Sequence, residues 1–430
     1  MADEAAVVRK IDLRLLPFLW ILYLVNFLDR ANLGNVHTSM IRDLGLTEME
    51  YTLGVGIFFV GYVIFEIPSN LMLKKATPSR WLARIMVSWG IISVCMMFIT
   101  DFAGLMVTRF LLGIMEAGFF PGVIFYLTFW YKKEEQAMRQ SLFFTASSGR
   151  RTWTSIFKYF LGSSHFPPSP PPPALLGAGA ISGLLAYGLL RLEGVGGLAG
   201  WQYVFLIEGI PAIILGVLTW FVLPDSPKTA KFLTADEREL AAGRVSPHVH
   251  THSFSRNEFI GTFTNPQTWL FVVVYIAVAN PSYGLLFFLP ALIQQFDYDA
   301  LVANLLTVPV YAVAAICTLL VAYHSDRRRE RPLHVIGCMV VAAVGYFVLG
   351  FLPHMAAYFA IIIAASANFP AIILTLTWLT NTMEGSTRGA TVTALVISLG
   401  NLGAFISNKI PFPIEDTLYF QNIPSWPSPF

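Results

Sequence analysis

Long apolar segments separated by short polar loops make up most of this chain. About 20 apolar residues in a helix are enough to cross the hydrocarbon layer of a bilayer. Eleven such spans can be counted when the apolar pieces 139–148 and 175–190 are joined into one. The other ten lie near residues 15–36, 51–72, 82–100, 104–130, 202–223, 267–290, 301–323, 333–352, 356–379 and 390–409. The pattern predicts an all-α, polytopic membrane protein.

The fifth span is interrupted by a segment that cannot remain helical. Residues 149–173 read GRRTWTSIFKYFLGSSHFPPSPPPP and end in a proline run. Proline removes a helical hydrogen bond, and irregular backbone is not tolerated against lipid. We hypothesise that this segment is an aberrant insertion, a translated intron or a gene-model error. The tail after Lys409 is also rich in proline, so we expect the C-terminal bundle to be truncated, without a twelfth span.

Charge is scarce and unevenly placed. Hydrophobic residues make up 55% of the chain and charged residues 13%, which excludes an ordinary soluble domain. Every second loop is basic, and these loops contain Arg9, Lys10, Arg14, Lys74, Lys75, Arg80, Arg84, Lys132, Lys133, Arg139, Lys228, Lys231, Arg327, Arg328, Arg329, Arg331 and Arg388. Basic loops remain in the cytoplasm, so we expect a cytoplasmic N-terminus and an uncleaved first span.

A polar stretch divides the apolar spans into two groups. Residues 224–265 are predicted to be a cytoplasmic linker between an N-terminal bundle, 1–223, and a C-terminal bundle, 266–430. Within the linker, Thr234 followed by Glu237 predicts a capped surface helix. His248, His250 and His252 alternate there without a Cys or carboxylate cluster, so we predict no metal site and no cofactor.

The first span contains two charged residues well inside its apolar run. It reads LLPFLWILYLVNFLDRANLGN over residues 15–35, with Asp29 and Arg30 adjacent. At about 1.5 Å per residue, Asp29 lies roughly 20 Å from Leu15. Charges at that depth face a protein interior or a wet cavity and are usually functional. The alternative is a helix that ends near Leu28 and leaves both residues at the water boundary.

Several motifs resemble one family of transporters. LDRANLGN resembles the first-helix signature of the anion:cation symporter group of the major facilitator superfamily. RFLLGIMEAGFFPG, residues 109–122, resembles the fourth helix of that group, and SDRRRER, residues 325–331, resembles the gating loop of the superfamily. FEIPSN, residues 65–70, is typical of the fungal allantoate and nicotinate permease-like branch. The loop NLMLKKATPSRW lacks the usual Asp, so the corresponding contact does not carry over.

The resemblance implies two bundles of six helices and assigns roles to buried residues. Arg30 can grip a carboxylate with two hydrogen bonds, and Asp29 and Glu116 are the proton-coupling candidates. Asn26 shares the face of Arg30 at i, i+4. An alternative for Glu116 is a structural ion pair with Arg109, seven residues earlier.

Candidates elsewhere are less specific. In the C-terminal bundle Tyr283 and Asn368 are candidate substrate contacts, with interhelical hydrogen bonding as the alternative. Asp326, Arg327, Arg331 and Arg388 are predicted to form charge contacts that close the cytoplasmic side, with membrane anchoring as their alternative. Glu66, nearer the end of its helix, is expected to be structural.

Taken together, these features predict a secondary transporter that moves a small organic anion with protons by alternating access. The expected partners are that anion, protons and the lipid bilayer, with no nucleic acid. We expect a monomer in the plasma membrane. The alternatives are an inactive product of a damaged gene and a non-transporting substrate sensor on the same scaffold. A membrane enzyme is disfavoured because no nucleophile motif, metal cluster or phosphate loop is present.

Overall fold

The computed structural model describes residues 4–144, 185, 188–245, 255–294, 296, 300–352, 354–383 and 386–407. These residues form helices and short loops, without a β-strand among them, which confirms the all-α prediction. The helices are α1 (Glu4–Leu44), α2 (Glu48–Lys75), α3 (Pro78–Cys95), α4 (Phe102–Glu116), α5 (Phe119–Leu127), α6 (Gln136–Phe144), α7 (Gly200–Val222), α8 (Ala235–Arg244), α9 (Arg256–Thr264), α10 (Pro266–Gln294), α11 (Ala300–Arg328), α12 (Pro332–Leu349), α13 (His354–Thr382) and α14 (Ser386–Ser407).

Most of the predicted spans coincide with long helices. Within the described residues, eight segments are long and apolar enough to cross a membrane. Helices α10 and α14 coincide with two further predicted spans. The predicted insertion at 149–173 and the tail after Lys409 lie outside the described residues.

Helix α1 is longer than its apolar run at both ends. It extends from Glu4 to Leu44, because residues such as Val7 and Ile11 in its first turns are also buried. The helix continues through Asp29, which is 4% exposed. The alternative of a helix that ends near Leu28 is therefore wrong.

The fourth span is a broken helix. Helix α4 ends at Glu116, Gly118 adopts φ +86°, and α5 begins at Phe119. A positive φ of this kind strains any residue with a side chain, and glycine adopts it freely. Gly113 lies against the backbone of Phe58 in α2, where an added Cβ would overlap the carbonyl oxygen. These glycines set the close approach of α2 to α4 and the bend beside Glu116.

Ion pairs tie the helix ends together on one side of the bundle. We call it the basic side and define it by Lys75, Lys132, Arg244 and Arg331. Glu4 accepts hydrogen bonds there from Lys132 Nζ at 2.6 Å and from Arg244 Nε at 2.7 Å. The linker helix and the first helix thus share one electrostatic network.

Helix α8 confirms the predicted capped helix of the linker. Thr234 Oγ1 accepts from the Glu237 backbone N–H at 3.4 Å, and Glu237 Oε2 accepts from the Thr234 N–H at 2.9 Å. Lys10 of α1 also donates to Glu237 and lowers the pKa of that carboxyl group. Helix α8 is therefore attached to α1.

Two groups of helices form the body of the protein. In the N-terminal half, residues 4–222, α3 packs on α7 and α2 packs on α4. In the C-terminal half, residues 266–407, α13 packs on α11 and α12, and α10 packs on α14. Helix α2 meets α14 across the halves, and α6 meets α11 and α13.

Candidate functional site

A buried ion pair joins α1 to α4 in the middle of the N-terminal half. Arg30 donates from Nε to Glu116 Oε1 at 2.6 Å, and its Nη2 lies 2.5 Å from the same oxygen. Asn26 Nδ2, one turn earlier on α1, also donates to this oxygen at 2.8 Å. Glu116 is fully buried, whereas the side chain of Arg30 is 30% exposed. The side chain of Arg30 thus contacts a buried carboxylate and remains partly exposed.

Aromatic rings support the cations of this site. The guanidinium carbon of Arg30 lies 5.1 Å from the ring centre of Tyr62 and 5.8 Å from that of Phe58. Arg109, which is 4% exposed, lies 4.9 Å from the same Phe58 ring. A cation over an aromatic face is stabilised by the ring quadrupole, and more so when desolvated.

The structure does not show the alternative pairing of Glu116 with Arg109. The carboxyl group of Glu116 is hydrogen-bonded to Arg30 and Asn26, both on α1. Its second oxygen, Oε2, is buried and receives no hydrogen bond from the described residues. Arg109 instead stacks on Phe58. The site therefore contains two cations, one paired and one stacked.

Asp29 and Arg30 are adjacent in sequence but have different partners. Asp29 Oδ2 accepts from Trp89 Nε1 at 2.7 Å, and its Oδ1 accepts from Ser93 Oγ at 2.6 Å. Both donors lie on α3, so the carboxyl group of Asp29 is held by neutral groups. Helix α1 therefore connects α3 to α4 through two consecutive side chains.

Sequence reasoning did not identify the residues that hold Asp29 and Arg30. Trp89 and Ser93 are four residues apart on α3, and Phe58 and Tyr62 are four apart on α2. Residues at this spacing share a helix face. The sequence did show a polar pair, Asp29 and Arg30, in the otherwise apolar α1. It did not show which helix each of the two residues faces.

The C-terminal half contributes neutral polar groups. Asn368 Nδ2 of α13 donates to Ser282 Oγ of α10, and both residues are buried. This contact is the interhelical hydrogen bond that the sequence analysis gave as the alternative for Asn368. The side chain of Tyr283 lies outside the described part of the structure.

Two of the four predicted gating residues meet on the basic side. Asp326 and Arg331 form an ion pair. Asp326 Oδ2 also accepts from the backbone N–H of Met138 in α6 at 2.8 Å, and Arg331 Nη2 donates to the Lys133 carbonyl at 3.2 Å. The pair thus connects the C-terminal half to the first turn of α6.

The other two predicted gating residues do not join this cluster. Arg327 is exposed. Arg388 lies at the start of α14, where its backbone N–H, with that of Thr387, donates to the carboxyl group of Glu258 in α9. The negative charge of Glu258 at this helix N-terminus complements the helix dipole. Arg388 therefore belongs to the contact between α9 and α14.

Comparison with known proteins agrees with this architecture. The profile of the Major Facilitator Superfamily matches residues 19–408. A putative tartrate transporter of Agrobacterium vitis is 35% identical, over 96% of this chain and 86% of its own length. A putative metabolite transport protein, NicT, of Pseudomonas putida is 33% identical, over 98% and 91%.

Solved structures show the same fold. The proton:xylose symporter XylE matches with a TM-score of 0.67 at 16% identity, over 97% of this chain and 90% of its own. A bacterial homologue of the lysosomal transporter Spinster matches with a TM-score of 0.57 at 19% identity, over 91% and 79%. The apolar helices, the extent of the family match and these relatives lead to one conclusion. The chain belongs to the major facilitator superfamily and is a multi-pass membrane transporter of small organic molecules, not an enzyme.

Proposed function

We propose that this transporter moves a small organic anion together with protons. The observation that supports the proposal most strongly is the ion pair of Arg30 with Glu116. Its two members come from separate helices, one is fully buried, and the other is partly exposed. A transporter that couples an anion to protons needs a cation for the anion and a carboxyl group that can lose its charge.

The ion pair provides a direct basis for coupling. With Glu116 ionised, its carboxylate occupies Arg30. When Glu116 takes up a proton, its hold on Arg30 weakens, and a carboxylate of the substrate replaces it on the guanidinium group. Arginine remains charged throughout and binds a carboxylate through two parallel hydrogen bonds. Proton and anion therefore bind together, and neither has a stable place alone.

Asp29 and Arg109 complete the electrostatic balance of the site. Asp29, held by Trp89 and Ser93, is the second candidate for proton uptake. Arg109 adds a second positive charge near the same ring of Phe58. Two cations and two carboxyl groups in one buried region give a net charge that depends on protonation, and this favours an anionic substrate when the carboxyl groups are neutral.

The substrate class follows from this chemistry and from the relatives. One is named as a tartrate transporter and another as NicT, and tartrate carries carboxylate groups. We propose a small carboxylate of that kind, bound at Arg30 and Asn26, with Asn368 and Tyr283 as contacts from the C-terminal half.

For the arrangement in the cell, we propose that the protein lies in the plasma membrane and that its basic side faces the cytoplasm. Residues 1–223 and 266–430 then form the two bundles, and 224–265 the cytoplasmic linker. The pair of Asp326 with Arg331 would hold the cytoplasmic side closed, while Arg327 interacts with lipid headgroups and Arg388 with the linker. We propose that a monomer is the transporting unit.

Transport into proteoliposomes tests the proposal. Purified protein is reconstituted with the membrane potential clamped, and uptake of labelled tartrate and nicotinate is measured with and without an inward proton gradient. We expect the gradient to accelerate uptake of at least one anion and a protonophore to abolish the acceleration. Uptake of carboxylates that ignores the gradient would contradict proton coupling.

Two further outcomes separate the alternatives. A substrate sensor would bind the anion, seen as a shift in melting temperature, without uptake. An inactive product would do neither until residues 149–173 are deleted. We also propose that this segment is an aberrant insertion, and sequencing of the transcript decides it, because abundant in-frame message containing the segment would contradict that proposal.

A further inference from the structure

A second buried carboxyl group lies on the contact between the two halves. Glu66 of α2 is fully buried, and its Oε2 accepts a hydrogen bond from Ser398 Oγ of α14 at 2.5 Å. Ser398 itself is 2% exposed. The other oxygen, Oε1, is buried and receives no hydrogen bond from the described residues. One turn further along α2, both amide atoms of Asn70 are buried and equally without partners among the described residues.

Glu66 lies between the ion-pair site and the basic side. Tyr62, whose ring lies under Arg30, is one turn before Glu66 on α2. The helix then runs to Lys75 on the basic side. One turn corresponds to about 5.4 Å along the axis, so Glu66 is roughly that distance closer to the basic side than the ring is. Along α2, Glu66 therefore lies on the side of the Arg30 site that is nearer the basic side.

An ionised carboxylate is poorly accommodated at this position. Within the described residues it has one neutral hydroxyl donor and no ion pair with a basic side chain. Burial of a charge without a hydrogen-bonded counter-ion costs several kcal/mol. A neutral carboxyl group avoids the cost of burying a charge.

Few charged groups in the described part of the structure act on Glu66. Arg30 of α1 acts on it electrostatically, and Tyr62 lies on its own helix. Arg30 is already hydrogen-bonded to Glu116. The other titratable side chains that the structure describes on the helices packed against α2 are Glu4, Arg9, Lys10, Asp12, Arg14, Tyr23, Asp29, His37, Arg42 and Asp43 of α1, Arg80, Arg84 and Cys95 of α3, Arg109 and Glu116 of α4, Tyr126 of α5, and Arg388 of α14.

We propose that Glu66 is a second proton-carrying group of the transport cycle. It is protonated while α2 and α14 are in contact. When these helices separate towards the cytoplasm, water enters, the O–H bond of the carboxyl group breaks, and the proton passes to water. The carboxylate left behind is stabilised by hydration, and the helices close again only after it has taken up a proton.

This inference rests on the proposed function and adds a link between substrate and gate. Arg30 is the cation whose field reaches Glu66. Once Glu116 is protonated and no longer offsets that field, an anion bound to Arg30 offsets it again and favours the neutral form of Glu66. Substrate binding and protonation of Glu66 therefore support the same state, in which the basic side is closed.

Distances across the basic side test the inference. Spin labels are placed on cysteines introduced at the exposed positions Arg80 of α3 and Thr382 of α13, with the three native cysteines replaced by serine. The label-to-label distance distribution is measured in lipid nanodiscs from pH 5 to pH 9. We expect the fraction with long distances to rise with pH in the otherwise unchanged protein.

Three variants show whether Glu66 causes that rise. Glu66→Gln has a neutral side chain of the same shape, so we expect short distances at every pH. Ser398→Ala keeps the carboxyl group but loses the contact, so we expect the response to remain with its midpoint at lower pH. Glu239→Gln, on the exposed face of α8, leaves Glu66 in place, and we expect it to retain the response. A wild-type response in Glu66→Gln, or no response in the parent protein, would overturn the inference.

Anion binding distinguishes a failure of the role inferred for Glu66 from a failure of the proposed function. The melting temperature of each sample is measured with and without tartrate and nicotinate. Normal anion binding with an unchanged pH response in Glu66→Gln would refute only the role of Glu66. Absence of anion binding in the parent protein would refute the proposed function itself.

Discussion

The two halves of the protein have similar helices but different chemistry in their interiors. The N-terminal half buries the charged residues Asp29, Glu66, Arg109 and Glu116 within its apolar spans. In the described helices α10 to α14, Asp, Glu, Lys and Arg occur only in the first or last turns. Their interiors contain hydroxyl and amide groups such as those of Ser282 and Asn368. Within the described helices, charged side chains inside the apolar spans thus occur in the N-terminal half.

From this difference we infer different roles for the two halves. A charge is expensive to bury, so the groups that bind it must be held rigidly in one place. Separating a neutral polar surface from its partner and hydrating it costs less free energy than doing so for a charged surface. The contacts between the halves include Ser398 on Glu66 and Arg331 on Lys133. We propose that these contacts form and break as the C-terminal half moves against the N-terminal half.

The largest expected effect comes from changing the cation of the N-terminal half. Arg30→Lys keeps the charge but loses the paired hydrogen-bond geometry, and one hydrogen bond to a charged group contributes roughly 1.5–3 kcal/mol. We expect anion uptake into proteoliposomes to fall by about tenfold or more. Arg14→Lys is the matched control, since Arg14 is exposed on the same helix. Normal uptake by Arg30→Lys would remove Arg30 from substrate binding.

The next largest expected effect is a loss of proton coupling, and it comes from changing Glu116. Glu116→Gln retains the shape of the side chain and an acceptor for Arg30, but it cannot take up a proton. We expect uptake driven by a proton gradient to be lost, while exchange of internal for external anion remains within about twofold of wild type. Glu239→Gln on the exposed face of α8 is the control. A Glu116→Gln protein that still responds to the gradient would show that the proton pathway lies elsewhere.

The sequence predicted the long apolar helices better than the contacts among them. Hydrophobic length gave the spans, and Asp29, Arg30 and Glu116 were identifiable because charge is rare in apolar helices. Which helices face each other is decided by packing between distant segments, so Trp89 and Ser93 on Asp29 could not be foreseen. Glu66 was expected to be structural because its depth along α2 was visible, but its contact with Ser398, 332 residues away, was not.

A charge placed in the C-terminal half tests whether that half must be neutral. Asn368→Asp replaces a buried amide, 3% exposed and bonded to Ser282, with a carboxyl group of the same size. An ionised group without a counter-ion would destabilise the protein by about 2 kcal/mol or more, so we expect a lower melting temperature that recovers in acid. Asn257→Asp, exposed on α9, is the control. Equal melting temperatures for the two variants would mean that the C-terminal half tolerates charge.

The smallest expected effect comes from the helix packing that holds the charged half rigid. Gly113→Ala adds a methyl group that would overlap the Phe58 carbonyl oxygen and lie 3.0 Å from the Tyr62 nitrogen, so α2 and α4 must move apart. Overpacking of this kind costs roughly 1–3 kcal/mol, and we expect a lower melting temperature with weaker anion binding. Gly337→Ala in α12 is the matched control, because nothing lies within 4 Å of the added atom. Since alanine favours helix over glycine by about 1 kcal/mol, Gly337→Ala should be neutral or stabilising. If both variants behaved alike, close packing of α2 on α4 would not be what fixes Arg30 beside Glu116.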